Sequence, residues 1–140
     1  MKGILFRNSL NHGFHGVVDD NKKSEIMSRC FLALSPVTEG SGRNLKMVDY
    51  LAHGLPVLST PIGVRGFEDY YISDSIVICE PDEFDENINR LSENRKKIRE
   101  MSVSAEKLYN EIIESENRID VAELILKAYY NKKSENAGLR

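Results

Sequence analysis

Several features that mark large classes of protein are scarce or missing in this sequence of 140 residues. It has only two cysteines, Cys30 and Cys79, which lie far apart and outside any CxxC or metal-binding spacing. This pattern excludes a disulfide framework and favours buried, reduced thiols, as in cytosolic proteins. No apolar stretch approaches the ~20 residues that span a bilayer. Residues 1–10 also lack the apolar core of a secretory signal, so we expect a cytoplasmic protein.

Clusters of like charge are missing too. The formal net charge is −3, and Lys and Arg are interspersed with Asp and Glu along the chain. Because a nucleic-acid groove needs a concentrated basic face, we expect no nucleic-acid partner. The three histidines have no Ser or Cys partner at the spacing of a nucleophilic triad, and no group of residues has metal-ligand spacing. We therefore expect neither a triad enzyme nor a bound metal cofactor.

The sequence does contain the pattern of an α/β domain. Residues 30–35 (CFLALS), 57–60 (VLST) and 76–79 (IVIC) are short, mostly apolar runs, typical of parallel strands buried on both faces. Residues 13–18 (GFHGVV) predict a further strand, and helical spacing fills residues 21–29 and 43–53. Because strands alternate with helices, we expect a partial doubly wound (Rossmann-like) parallel sheet of about four strands, followed by C-terminal helices.

After Pro81 the pattern is helical throughout. Ile88, Leu91, Ile98 and Met101 predict either one helix or two helices with a break. Two more helices are expected beyond them, the last with Asn117 as its candidate N-cap. We expect the polar C-terminal residues to fray. The predicted organisation is one domain over residues 1–131 and a frayed tail over residues 132–140.

Three small residues, Gly40, Ser41 and Gly42, directly precede the helix predicted over residues 43–53. The N-terminus of a helix exposes unpaired N–H groups and the positive end of the helix dipole. Glycines at this place let an anion lie against the backbone, which is a phosphate-binding geometry. The alternative is a purely structural tight turn, and the glycines alone do not decide between the two.

Arg43, Lys46 and Asp49 recur every three residues and share one flank of that helix. They form either a solvated face with a weak ion pair or a set in which cations hold phosphate and a carboxylate holds ribose hydroxyls. Glu39, directly before the glycines, is either a plain loop acid or an acceptor for paired sugar hydroxyls. Residues 61–66 (PIGVRG) likewise either border a binding pocket or form an ordinary loop.

Read together, these residues resemble a known family. The stretch ALSPVTEGSGRNLKMVDYLAHGLPVLSTPIGVRGFE is similar to the donor-binding half of GT-B glycosyltransferases of family 4, also called group 1. The shared pattern is an apolar strand, a proline, Glu-Gly-x-Gly, a helix with a second acid, then Ala-x-Gly-x-Pro-Val and Ser/Thr-x-x-Gly. The match extends over about residues 13–68, and the helices after Glu80 resemble the family only in pattern.

The resemblance implies a retaining glycosyltransferase that transfers a hexose from a nucleotide-activated sugar without a metal. It implies that Glu39 is catalytic, since it touches the sugar hydroxyls or stabilises the developing positive charge. The backbone of the glycine segment meets the diphosphate, and Asp49 stands where the second family acid meets the ribose. The implied donor-binding residues are Gly40, Ser41, Gly42, Arg43, Asn44, Lys46 and Asp49.

The same resemblance implies a partner. A complete GT-B enzyme has two doubly wound domains, and the predicted strands correspond to the third through sixth of its donor domain. The first two strands, their diphosphate-clamping basic pair and the acceptor domain have no counterpart here. We therefore expect no transfer activity from the isolated chain and expect an N-terminal acceptor domain or a complementary chain as partner. Membrane contact through the full enzyme stays open. The alternatives are a non-catalytic fragment that pairs with another chain, and an unrelated flavodoxin-like binding domain.

Overall fold

A computed structural model describes the backbone of residues 15–137 and the side chains of residues 15–130. Within these residues the fold is mixed α/β, with three short parallel strands: β1 (Ala33–Ser35), β2 (Val57–Ser59) and β3 (Ile76–Ile78). The strand order is β1-β2-β3, and Ala33, Val57 and Ile76 lie side by side at the start of the three strands. The chain divides into two compact units between Tyr109 and Asn110.

Four α-helices accompany the sheet: α1 (Asp20–Ser28), α2 (Leu45–Ala52), α3 (Phe84–Glu93) and α4 (Arg95–Ala137). A 3₁₀ turn, Pro81–Glu83, leads into α3. Gly54 follows α2 with a φ of +62°, and its N–H donates to the carbonyl of Leu51, so a left-handed glycine ends this helix. In the part of the chain that the structure describes, no helix combines the length and apolarity that crossing a membrane requires.

The core of the first unit surrounds β2, whose three residues are all buried. This burial confirms that the run at residues 57–60 belongs to a central strand covered on both faces. From α2, Met47 and Leu51 lie fully buried, one helical turn apart. The other buried apolar side chains of this unit include those of Leu55, Leu58, Phe67, Ile76, Phe84, Leu91, Met101, Ala105 and Leu108.

The predictions of about four strands and of a doubly wound sheet are wrong for the residues described. Residues 15–18 form no strand, and residues 13 and 14 lie outside the described part. Gly16 interrupts this run with a φ of +61°, and Val17 is fully exposed, so the run has no buried face that would hold it in a sheet. The order β1-β2-β3 never reverses, whereas a doubly wound sheet requires a reversal of strand order.

The C-terminal helices also differ from the prediction in number. Asn94 interrupts the helical structure between α3 and α4. Its side-chain oxygen accepts a hydrogen bond of 3.0 Å from the N–H of Lys97. From there α4 continues through Ala137, so the prediction that Asn117 caps a separate helix is wrong. No Gly or Pro occurs within α4 to end it earlier. Fraying of residues 132–140 stays a prediction.

Candidate functional site

The loop of residues 36–44 connects the carboxyl end of β1 to α2, and residues 39–42 lie exposed on it. Gly40 has a φ of 138° and Gly42 a φ of 93°, backbone angles that residues other than glycine rarely adopt. A Cβ built on either residue meets no atom within 4 Å. The backbone conformation therefore requires glycine at both positions, and the space beside them is open for another molecule to approach.

Helix α2 begins directly after this loop without a side-chain cap. Asn44 occupies the N-cap position, but its side chain makes no hydrogen bond to the first turn. The N–H of Met47 donates to the carbonyl of Asn44, at 3.0 Å. The first N–H groups of a helix have no intrahelical acceptor, and they carry the positive end of the helix dipole. Donors of this kind thus lie next to the open glycine loop, with the exposed Lys46 in the first turn.

The Asn44 side chain instead contributes to a hydrogen-bonded cluster at the carboxyl ends of β1 and β2. Its amide nitrogen donates to Ser35 Oγ at 2.8 Å and to the carbonyl oxygen of Gly63 at 3.2 Å. Ser59 Oγ, fully buried, donates to the carbonyl of Ser35 at 3.4 Å. The N–H of Gly63 donates to Thr60 Oγ1 at 3.1 Å. These bonds join the strand ends to the loop of residues 60–66 and hold the start of α2 in place.

Gly63 has no room for a side chain within this cluster. A Cβ at this position would lie 2.3 Å from Ser59 Oγ and 2.9 Å from Ser35 Oγ. Both distances are shorter than any normal contact of a carbon atom. The glycine of the Ser/Thr-x-x-Gly pattern is therefore required because Ser35 and Ser59 pack directly against it.

Arg43 packs against Gly66 and Phe67. Its guanidinium carbon lies 4.6 Å from the centre of the buried Phe67 ring, within the range of a cation–π contact. Gly66, with a φ of +87°, lies so close that a Cβ on it would come within 2.8 Å of Arg43 Cβ. The structure thus gives Arg43 a packing role beside the predicted donor site.

Arg65 is a cation at the glycine loop that the sequence pattern did not single out. Its Nη1 donates to the carbonyl oxygen of Gly40 at 2.8 Å. It belongs to residues 61–66, for which the sequence left open whether they border the site. The next acid along the chain, Glu68, accepts a 2.9 Å hydrogen bond from the N–H of Gly66, and this bond lowers the pKa of its exposed carboxyl group.

The second predicted acid, Asp49, contacts α1. Its carboxylate lies 3.3 Å from Lys23 Nζ. The pKa of Lys23 is raised, most strongly by its hydrogen bond to Asp20 and next by its hydrogen bond to Asp49. His53 joins the same contact: its Nδ1 lies 2.8 Å from the Asp49 carbonyl oxygen and its Nε2 lies 3.0 Å from Ser24 Oγ. Asp49 is half exposed, so its carboxylate retains access to solvent.

The structure therefore brings some of the predicted residues together and gives others separate contacts. Glu39, Gly40, Ser41 and Gly42 form one exposed segment before an uncapped helix start. Arg43 and Asn44 have packing and hydrogen-bonding roles behind that segment, and Asp49 pairs with α1. Among the described residues, no three His, Cys, Asp or Glu side chains gather as a metal site would require.

Comparisons with protein-family models, with curated proteins and with solved structures each return no match to this chain. The resemblance to family 4 glycosyltransferases thus depends on the sequence motif of residues 33–68.

Proposed function

We propose that this chain is the donor-binding part of a retaining glycosyltransferase that uses a nucleotide-activated sugar. The observation that carries the proposal is the open loop of Gly40 and Gly42 next to the uncapped start of α2. Backbone N–H groups and a helix dipole suit a diphosphate at this place. Glu39, directly before Gly40 in the same loop, is placed in sequence to accept hydrogen bonds from the hydroxyls of the sugar attached to that diphosphate.

Two cations at the loop support the same proposal. Arg65 already donates to the Gly40 carbonyl, and its guanidinium has further N–H groups for phosphate oxygens. Lys46 is exposed in the first turn of α2. Together with the helix dipole they supply positive charge for the leaving nucleotide diphosphate without a metal ion.

The proposed role of Asp49 requires it to exchange one partner for another. To accept the ribose hydroxyls, its carboxylate must share or give up the contact with Lys23. Such an exchange is inexpensive, because partly exposed ion pairs contribute only about 0–1 kcal/mol. We therefore keep Asp49 as the proposed ribose acceptor.

Binding and transfer are separate properties in this proposal. The isolated chain binds the donor and does not transfer the sugar, because acceptor recognition comes from an N-terminal acceptor domain or a complementary chain. The second candidate is a non-catalytic fragment that pairs with another chain. It is favoured by the engagement of Arg43, Asn44 and Asp49 in contacts within the fold, which a scaffold requires and a binding site does not.

Calorimetric titration with UDP-, GDP- and ADP-sugars tests the proposal. We expect one of the three to bind and Gly42→Ala to weaken that binding at least tenfold, since a methyl group would occupy the open space beside the loop. Gly16→Ala is the matched control, because Gly16 also has a positive φ and open surroundings but lies outside the site. Failure of all three donors to bind, or equal losses in both variants, would refute the proposal.

A further inference from the structure

The second unit of the chain contains a helical segment with an unusually large exposed apolar surface. From Ile119 to Tyr130 every residue is apolar except Asp120, Glu123 and Lys127. These three are spaced three and four residues apart, so they form one polar stripe along α4, and Lys127 lies 3.9 Å from Glu123. The rest of the circumference is apolar. We name residues 119–130, apart from the polar stripe, the apolar face of α4.

The size of this face exceeds what a lone protein normally exposes. Its seven large side chains are each between 54% and 65% exposed: Ile119, Val121, Leu124, Ile125, Leu126, Tyr129 and Tyr130. Together they expose an area on the order of 700 Å², above the ~300–600 Å² of the largest patch on a typical monomer. It is close to the ~800 Å² that each partner buries in a stable protein–protein interface.

A membrane surface is a poor match for this face. Helices that lie on membranes carry Lys and Arg on their polar side, which contacts anionic headgroups. Here the polar stripe has two acids, Asp120 and Glu123, and one base, Lys127. The charge therefore favours a protein occupant.

The spacing of the apolar residues points to another helix of the same kind. Four apolar residues have the alternating spacing of three and four that a and d positions have in the seam of a coiled coil. They are Ile119, Ala122, Leu126 and Tyr129. In an antiparallel pair, Ala122 of one copy opposes Leu126 of the other, and Ile119 opposes Tyr129, so small and large side chains alternate. A parallel pair would set Ala122 against itself and leave a gap.

We propose that the apolar face of α4 binds the same face of a second copy of this chain, as an antiparallel helix pair. The two copies use identical surfaces, which is the commonest symmetry of protein dimers. The face extends beyond one seam to Val121, Leu124 and Ile125. Two such pairs stacked as a four-helix bundle bury this remainder, so dimers and tetramers both satisfy the proposal.

Light scattering coupled to size-exclusion chromatography of the full chain tests this proposal. We expect a mass of two or four times the 15.9 kDa of one chain. Leu126→Glu places a charge in the seam and is expected to give a monomer, with helix content checked by circular dichroism. The control, Lys127→Glu on the polar stripe, is expected to keep the mass of the wild type.

Three results would overturn the proposal: a wild-type monomer at all concentrations, polydisperse aggregates without a defined mass, or an unchanged mass in Leu126→Glu. Because circular dichroism reports helix content separately, loss of the oligomer with an intact helix is distinguishable from unfolding.

Discussion

At the scale of single residues, glycines at this site fulfil two different physical requirements. Gly40 and Gly42 have backbone angles that residues other than glycine rarely adopt, and the space beside them is open. Gly63 has no room for a Cβ between the hydroxyls of Ser59 and Ser35. The two requirements predict different consequences of substitution, because a methyl group at the first pair intrudes on a ligand and at Gly63 intrudes on the protein itself.

Gly63→Ala is therefore expected to destabilise the fold by about 1–3 kcal/mol, the usual cost of overpacking a well-filled site. The atoms that must move include the carbonyl oxygen of Ser35, 3.0 Å from the new Cβ, so adjustment of a side chain alone does not relieve the clash. Urea unfolding measures the change. A stability equal to that of the wild type would show that Ser35 and Ser59 can move apart to make room for the methyl group, and would contradict this prediction.

Arg65 provides a residue-scale prediction about binding. Arg65→Gln is expected to weaken donor binding about tenfold, because charge-assisted hydrogen bonds contribute about 1.5–3 kcal/mol. Arg29→Gln is the matched control, since Arg29 is exposed and its described ion pair is with Glu25 within the α1 region. Titration of the tightest-binding nucleotide sugar into both variants measures the effect. Equal affinities for wild type and Arg65→Gln would remove Arg65 from the proposed site.

At the scale of elements, the positions of asparagine along the C-terminal half distinguish a cap from a helix interior. Asn94 accepts the N–H of Lys97 and begins α4, whereas Asn117 lies within that helix. The two residues have the same chemistry, so their local sequence context decides which of them begins a helix. Without Gly or Pro in α4, an interior asparagine has only a modest effect on helix stability.

Asn94→Ala is expected to destabilise the protein by about 1 kcal/mol through loss of the cap. Asn117→Ala is expected to be neutral or stabilising by a few tenths of a kcal/mol, since alanine has the higher helix propensity. Thermal unfolding of both variants checks the pair. Comparable destabilisation by Asn117→Ala would indicate a helix start at that residue and contradict a continuous α4.

Element by element, the sequence pattern predicted what short-range chemistry determines. The apolar runs at residues 30–35, 57–60 and 76–79 contain β1, β2 and β3, and the helices α1 and α2 lie within or next to their predicted ranges. The extra strand was wrong for residues 15–18, because a short apolar run with a glycine in it does not show whether a buried face exists. The doubly wound arrangement was wrong because the order of strands depends on pairing between distant segments, which no local pattern records.

Within the site, the exposed glycine segment was predictable from its composition and its place before a helix. The contacts of Asn44 with Ser35 and Gly63, and of Asp49 with Lys23, were not predictable, because they join residues from different elements. Arg65 was overlooked for the same reason: its neighbour Gly40 lies 25 positions away in sequence.

At the scale of the whole molecule, two proposed surfaces lie in different units. The donor site is in the unit that ends at Tyr109, and the apolar face of α4 is in the unit that begins at Asn110. Donor binding and self-association therefore draw on separate sets of residues. Substitution at either surface is expected to leave the other property intact, so each proposal stands or fails by its own measurement.

The proposed function depends most on diphosphate docking at the backbone of residues 40–46, and an NMR titration tests this docking most directly. Amide ¹H–¹⁵N shifts of the full chain are followed during addition of UDP, GDP and ADP in turn. We predict that one nucleotide produces its largest shifts at Gly40, Ser41, Gly42, Leu45 and Lys46. If all three nucleotides leave these amide signals unshifted, or if the largest shifts fall on another part of the chain, diphosphate does not dock at this loop and the proposed function is wrong.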